Sequence, residues 1–297
     1  CSKDATGPHS IAKSFDRDLT DIFQIQTELA KAIASELNAA ISPQEQQQLA
    51  ARPTENLAAY DLYLKSREIA NRGAASTREE LQKRERLLQS AVELDPKFLD
   101  AWCELVQAHV GLIAASVDTT PARLAKATAA LERARELAPE APEVARATGA
   151  YQLFGMHDPA NALAQFTQLV DRYPNDTDNL SWLAVAQMLG GRWAESLVTQ
   201  RRLTRLDPAN RGAGMGYAFN LRYVRRYDEA LAEVRRMMVL RPDDFGLHVT
   251  MGYFSYMADG STLLLEETLK RAEAINANSP TVVELRQAKA FHDRDYQ

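Results

Sequence analysis

Apolar residues along this chain recur at alternating spacings of three and four, the signature of one buried face on an α-helix, in segment after segment. Leu19, Ile22, Phe23, Ile25, Leu29, Ile33, Leu37 and Ile41 form the first such stripe, interrupted only by Gln26. They predict an amphipathic helix over residues 16–41. Ser42-Pro43 restarts the chain as a cap followed by proline in the first turn, giving a short helix that stops before Arg52-Pro53. From residue 54 the pattern predicts six helix pairs. Their spans are 56–71 with 77–94, 98–115 with 121–137, 142–155 with 159–172, 177–189 with 193–206, 211–223 with 227–240, and 245–258 with 262–275. A last helix from about 280 caps the stack.

The pairs share their punctuation. Pro96, Pro139, Pro174, Pro208 and Pro242 close successive pairs at spacings of 43, 35, 34 and 34 residues. Self-similarity near 34 residues marks a helix-turn-helix solenoid. Thr77-Arg-Glu-Glu80 reads as a capping box, and Thr120-Pro121 and Asp158-Pro159 each set a cap residue before a proline that opens a helix. The internal turns of the first two pairs, 71–76 and 116–121, are stretched. In a solenoid each unit buries its apolar face against its neighbours and leaves an extended concave surface for a partner. The expected architecture is therefore all-α: residues 1–15 as the tail of an upstream domain or disordered, 16–53 as a helical linker, and 54–297 as the repeat array with its capping helix.

Composition narrows the function. Apolar residues make up 45% of the 297 and charged residues 25%, an ordinary globular balance that argues against disorder. The net charge of −5 offers no clustered positive surface for a phosphate backbone, so nucleic acid is not an expected partner. No apolar run approaches the roughly 20 residues that a membrane-spanning helix requires. Cys1 and Cys103 suggest neither a disulfide framework nor a thiolate metal site. Cys1-Ser2 matches the start of a mature bacterial lipoprotein, and the other reading is a boundary inside a longer chain.

Catalytic signals are weak. His9, His109, His157, His248 and His292 have no ligand spacing, so no metal or other cofactor is expected. Gly212-Ala-Gly-Met-Gly216 looks like a phosphate loop but follows no strand and opens a repeat helix in register. No nucleophile, base and orienting group can be assembled, and the expectation is a non-catalytic chain.

Small residues twelve apart, Ala150 with Ala162, Ala184 with Ser196 and Ala218 with Ala230, fall where the two helices of a pair must cross closely. With Trp102-Cys-Glu-Leu105, Gly191-Arg-Trp-Ala-Glu-Ser196 and Arg226-Tyr-Asp-Glu-Ala230, residues 57–297 resemble the tetratricopeptide repeat. Three departures stand out. Arg84 and Leu264 occupy small-residue crossings, and Gly260-Ser261 lengthens the last turn, so the end pairs are expected to pack irregularly. Upstream, Lys13-Ser-Phe-Asp-Arg-Asp-Leu-Thr-Asp-Ile-Phe-Gln-Ile-Gln-Thr-Glu28, Ser42-Pro43 and the stretch from Arg52 to Leu64 are similar to the linker of bacterial signalling proteins. There the repeats follow a TolB-amino-terminal-like domain, often behind a winged-helix, cyclase or kinase domain. That resemblance implies a sensory or scaffolding region on the cytoplasmic or periplasmic side of an upstream membrane anchor.

In tetratricopeptide arrays the first helix of each pair lines the groove. Its expected inward stripe reads Cys103, Gln107, Val110; Ala147, Tyr151, Phe154; Ser181, Val185, Met188; Met215, Phe219, Arg222; and Val249, Tyr253, Tyr256. Tyrosine and arginine are enriched at interaction hot spots, and such a groove seats an extended peptide or an amphipathic helix. The candidate partner-binding residues are Gln107, Tyr151, Phe154, Met188, Met215, Phe219, Arg222, Tyr253 and Tyr256. Burial of these rings as shared core between pairs is the competing reading. The lysines and asparagines of a chaperone-type carboxylate clamp are absent from this stripe. Two functions follow: a protein- or peptide-binding scaffold of a signalling protein, or a small-molecule sensor using the groove aromatics and Arg222. Self-association through the 19–41 stripe is compatible with either.

Overall fold

The computed structural model describes Glu28, residues 53–71, 77–260 and 262–276, and seven residues between 282 and 290. The chain divides into two compact units, Cys1–Glu55 and Asn56–Gln297. Apart from the helical Glu28, the expected helix over 16–41 lies outside the described residues, as do the helix after Ser42-Pro43, the 1–15 tail with Cys1 and His9, the turn 72–76, Ser261 and His292.

The second unit holds twelve α-helices among its described residues: α1 Leu57–Ala70, α2 Arg78–Leu94, α3 Leu99–Ala114, α4 Pro121–Leu137, α5 Pro142–Ala150, α6 Pro159–Arg172, α7 Thr177–Leu189, α8 Trp193–Leu206, α9 Arg211–Tyr223, α10 Tyr227–Leu240, α11 Phe245–Asp259 and α12 Leu263–Asn276. Helices pack within pairs, and each second helix also packs on the first helix of the next pair. Helical residues recur beyond α12, where Val282 and Leu285 are buried against Leu265, Leu269 and Ala272 and close the core at that end.

Local chemistry fixes the boundaries. Asn56, Thr120, Asp158, Asp176 and Asn210 each accept a hydrogen bond from a backbone N–H in the first turn of the helix that follows, satisfying a donor the helix cannot. Thr77 and Glu80 form the reciprocal capping box, at 3.2 and 2.9 Å. At the other end, Asp95, Ala138, Tyr173, Asp207 and Arg241 leave the helical region at the residue before the recurring proline. Proline crowds the preceding residue out of the α conformation, which is why one residue type recurs at each junction.

Turns within pairs are closed by a left-handed residue: Ser116, His157, Gly191, Arg225 and Gly260 have φ between 54° and 76°. In the second, fourth and fifth pairs a backbone N–H reaches back five residues, as from Arg192 to Gln187 and from Arg226 to Leu221. This is the bond that closes a Schellman turn. The third pair differs. Residues 151–155 form a single π-helical turn, and Asp158 N–H reaches back six residues to Gln152 at 2.9 Å. The one extra residue in the 35-residue spacing is absorbed in that π-turn, the usual way a helix accommodates an insertion.

The core lies between the helix layers. Phe98, Phe166 and Phe254 are fully buried, and Phe166 stacks on Trp182 at 5.7 Å and 10°. Ala162, Ala184 and Ala230 are almost wholly buried, and the Ser196 hydroxyl donates to the Ala184 carbonyl at 2.8 Å, so the small-residue crossings are real close approaches. In the last pair the small residue has moved to the partner helix: a Cβ on Gly252 would lie 3.0 Å from the Leu264 carbonyl oxygen. In the first pair Arg84 is buried, and its partner belongs to the site described next.

Candidate functional site

The array curves with its first helices inside. Arg67 on α1 donates to Asp178 on α7, 111 residues away, at 2.9 Å. The Asn71 carbonyl at the end of α1 stands 3.1 Å from where a Cβ on Gly212 would sit, at the start of α9. Helices three and four pairs apart therefore meet across the concave face.

Between them lies an open cavity of about 130 Å³, lined by Tyr63 and Arg67 on α1, Asp100, Cys103, Glu104 and Gln107 on α3, Glu143 and Arg146 on α5, and Asp178 on α7. Asp100, Glu143 and Asp178 occupy the same place, four residues after the closing proline of the preceding pair and in the first turn of a first helix. Carboxylates there complement the helix dipole. Glu104 is 4% exposed and bridges two arginines: Arg67 at 2.9 Å, and the buried Arg84 reaching in from α2. Arg146 fans over the fourth pair, donating to Asn179 at 2.8 Å, Asp178 at 3.2 Å and Asp176 at 3.1 Å.

The carboxylates are not equivalent. Burial works against the charge of Glu104, but Arg84 and Arg67 outweigh it and hold the carboxyl below its ordinary range. Asp178 is half-buried, and Arg67 and Arg146 outweigh that burial and hold its carboxyl low. Asp100 is pushed up to about 6, first by burial and then by Glu143 and Glu104. Neither Asp100 nor Glu143 has a hydrogen bond or ion pair among the described residues. Burial, then Glu104, pushes the Tyr63 hydroxyl upward, so it stays protonated. Burial also keeps the Cys103 thiol protonated, a poor nucleophile.

Further along α3, His109 is 2% exposed, and its Nδ1 accepts from Arg123 Nη1 at 2.9 Å. Arginine only donates, so the proton of the neutral ring sits on Nε2. Burial and then Arg123 lower this histidine to about 4. Among the described residues no group of three or more metal-binding side chains is placed to hold an ion, and no helix is long and apolar enough to cross a membrane.

Of the nine residues expected along the groove, the cavity takes one, Gln107. Tyr151 packs on Val110, Ala127 and Ala150, with its hydroxyl 2.9 Å from Thr128; Phe154 packs there and against Trp182. Met215 is buried, and Phe219 and Tyr253 pack on the same cluster around Phe254. Tyr256 lies on the Leu265 cluster. Met188 is half-buried at the end of α7. Arg222 stacks over Tyr223 at 4.2 Å and Phe219 at 5.4 Å, donates to Met257 Sδ at 3.5 Å, and leaves Nε buried without a partner. In the third pair the inward position is Arg146, whereas Ala147 is fully buried: the stripe slips by one residue because the π-turn adds its residue after it.

Tyr63, Arg67, Arg84, Asp100, Glu104, Glu143, Arg146 and Asp178 lie outside the groove residues expected from the sequence. Two signals point to four of them, Asp100, Glu143, Asp178 and Arg84: an acidic residue four after Pro96, Pro139 and Pro174, and the misfit of Arg84 at a crossing position.

No protein-family profile matches the chain. Putative adenylate cyclase 3 of Rhizobium meliloti (strain 1021) is 33% identical over 101 residues, which cover 34% of this chain and 16% of that protein's length. The type IV pilus biogenesis factor PilW superposes with a TM-score of 0.52 at 14% identity, covering 76% of this chain and 98% of PilW. The Cut9-Hcn1 assembly of the APC/C gives 0.52 at 14% identity, over 90% of this chain and 52% of the matched one. The fold is a tetratricopeptide-repeat solenoid. Identities this low speak to fold alone.

Proposed function

We propose that the chain is a non-catalytic binding module whose concave face takes a protein or peptide, serving as a scaffold or sensory region of a bacterial signalling protein. The observation that carries this reading is the cavity on the inner helices, where charged groups of four repeat pairs converge and two carboxylates remain unpaired. Buried or half-buried ionised groups are costly to a fold and gain most from a partner that completes their pairing. The matched stretch of a putative cyclase and the linker-like sequence upstream favour a signalling setting.

The test is selection of peptides from a random displayed library against the full chain, followed by hydrogen exchange with and without the tightest binder. Slowed exchange in α3, α5 and α7 is the expected result. Slowing confined to the outer helices α4, α6 and α8 contradicts it.

Arg222 favours a second reading, a small-molecule sensor. It stacks on aromatic rings and has no carboxylate partner among the described residues. A small carboxylate that raises the melting temperature of the full chain but not of the Arg222→Gln variant would favour this reading.

A further inference from the structure

We infer that the cavity between α1, α3, α5 and α7 seats the cationic side chain of an arginine or lysine carried by the ligand. This rests on the peptide-binding reading above and names the chemistry that the site selects.

The charge inventory sets the sign. Four carboxylates line the cavity against two guanidinium groups, and both arginines are already committed to Glu104, Asp176, Asp178 and Asn179. The outer participants, Arg84 and Asp176, add one charge of each sign and leave the excess negative. Asp100 and Glu143 are the two carboxylates without a committed cation, and they stand on adjacent first helices.

An acidic pair in the first turns of helices has an ordinary explanation in the dipole, so a second observation is needed. Gln107 supplies it. Its side chain lines the cavity, is 7% exposed, and has no hydrogen-bond partner among the described residues. Its amide is reached through the open cavity, and a guanidinium entering there donates to the amide oxygen directly. Tyr63, on the same wall, carries a hydroxyl that is a further acceptor. The volume of about 130 Å³ suits the end of a side chain rather than a folded segment. An organic cation fits better than a metal ion, because the carboxylates are spread over three helices and two are engaged by arginine.

Binding is expected to depend on pH. Asp100 is faced by Glu104 on its own helix, by Glu143 and Arg146 on α5, and by Arg67 on α1, and its carboxyl titrates at about 6. Below that pH it is neutral, and the cation loses one of its two partners.

The test uses the full chain, the peptides selected above, and the Asp100→Asn/Glu143→Gln variant, with circular dichroism and melting to verify its fold. Neither carboxylate is paired, so the variant should melt at or above the wild-type temperature. Selected peptides should carry an arginine or lysine whose replacement by glutamine weakens binding at least tenfold, in the range of a lost charge-assisted hydrogen bond. The variant should show the same loss, with no further loss when both changes are combined. Peptides that bind tightly and are indifferent to both changes would overturn this inference and leave the peptide-binding reading standing. If no peptide is selected, capped arginine amide and agmatine are titrated instead. Binding that the variant loses would keep the cation site with a free small cation as occupant and end the peptide reading; no binding ends both. Should the variant fail to fold, Gln107→Met replaces it, with a loss of severalfold expected and an unchanged affinity counting against the site.

Discussion

The inner faces of the first four repeat pairs and of the last two are built on one backbone register, yet they carry opposite chemistry. Four residues after the closing proline the chain places Asp100, Glu143 and Asp178 in three successive pairs, then Gly212 and Gly246 in the next two. Of the acidic positions, Asp178 pairs with Arg67 and Arg146, and Arg67 extends the network through Glu104 to Arg84, while Asp100 and Glu143 stand beside it unpaired. The glycine positions admit close neighbours: a Cβ on Gly212 would stand 3.1 Å from the Asn71 carbonyl, and one on Gly246 only 2.7 Å from Arg211 Nη2. Where the early pairs spend this position on charge, the later ones spend it on approach. Their inner surface is instead Phe219, Arg222 and Tyr253 packed around Phe254. A repeat thus keeps its fold while a single position per unit decides what the surface can recognise.

Removing one member of the charged network should have the largest effect. Arg84→Met leaves Glu104 buried without its inner cation and is expected to cost about 3–5 kcal/mol by urea unfolding. Arg84→Met with Glu104→Leu should recover much of that loss, because two hydrophobic groups have no charge to desolvate. If the double variant is no more stable than the single one, packing rather than charge holds the first pair.

Next in size is the response to acid. The folded chain holds His109 near 4, below its ordinary value, so stability from its neutral form is complete above about 6.5 and is lost as pH falls toward 4. Its surroundings are Arg123, Glu85, Lys126 and Asp118. The loss approaches about 3 kcal/mol at the acid end, and His109→Gln, whose amide oxygen also accepts from Arg123, should remove it. Asp100 works oppositely: its raised carboxyl makes the fold gain stability as pH falls through 6, so Asp100→Asn should steepen the acid loss seen in melting curves.

In the later pairs, Arg222→Met keeps the aliphatic stem and removes the cation from over Tyr223 and Phe219, which should cost about 1 kcal/mol. An effect as large as that of Arg84→Met would erase the contrast between the two regions. Smallest is Arg225→Gly, which relieves a left-handed backbone at φ 61° and should add roughly 0.5 kcal/mol, the gain being reduced by the entropy of glycine in the unfolded chain.

The fold was legible because it is written in local signals repeated many times. Proline, cap and crossing residues each fix a boundary, and the helices from α7 to α10 have the spans their pattern predicts. The π-turn was less legible: a 35-residue spacing announces one extra residue without saying where it goes, and that residue decides whether Arg146 or Ala147 faces the cavity. The charged network was harder still. Arg67 and Asp178 are brought together only by curvature over four pairs, a property of stacking angles that no local pattern carries. The aromatics drew attention as groove candidates, but an apolar ring on an inner helix also has a neighbouring pair to pack on, and Tyr151, Phe219 and Tyr253 do so.

The most direct test of the concave cavity as a cation-recognising site is calorimetric titration of the full chain with a selected arginine-bearing peptide and with the same peptide carrying citrulline, its neutral isostere, at pH 7.5 and at pH 5. The account predicts at least tenfold tighter binding of the arginine peptide at pH 7.5 and a clearly smaller difference at pH 5, where Asp100 is protonated. Equal affinity for the two peptides at pH 7.5 would contradict it.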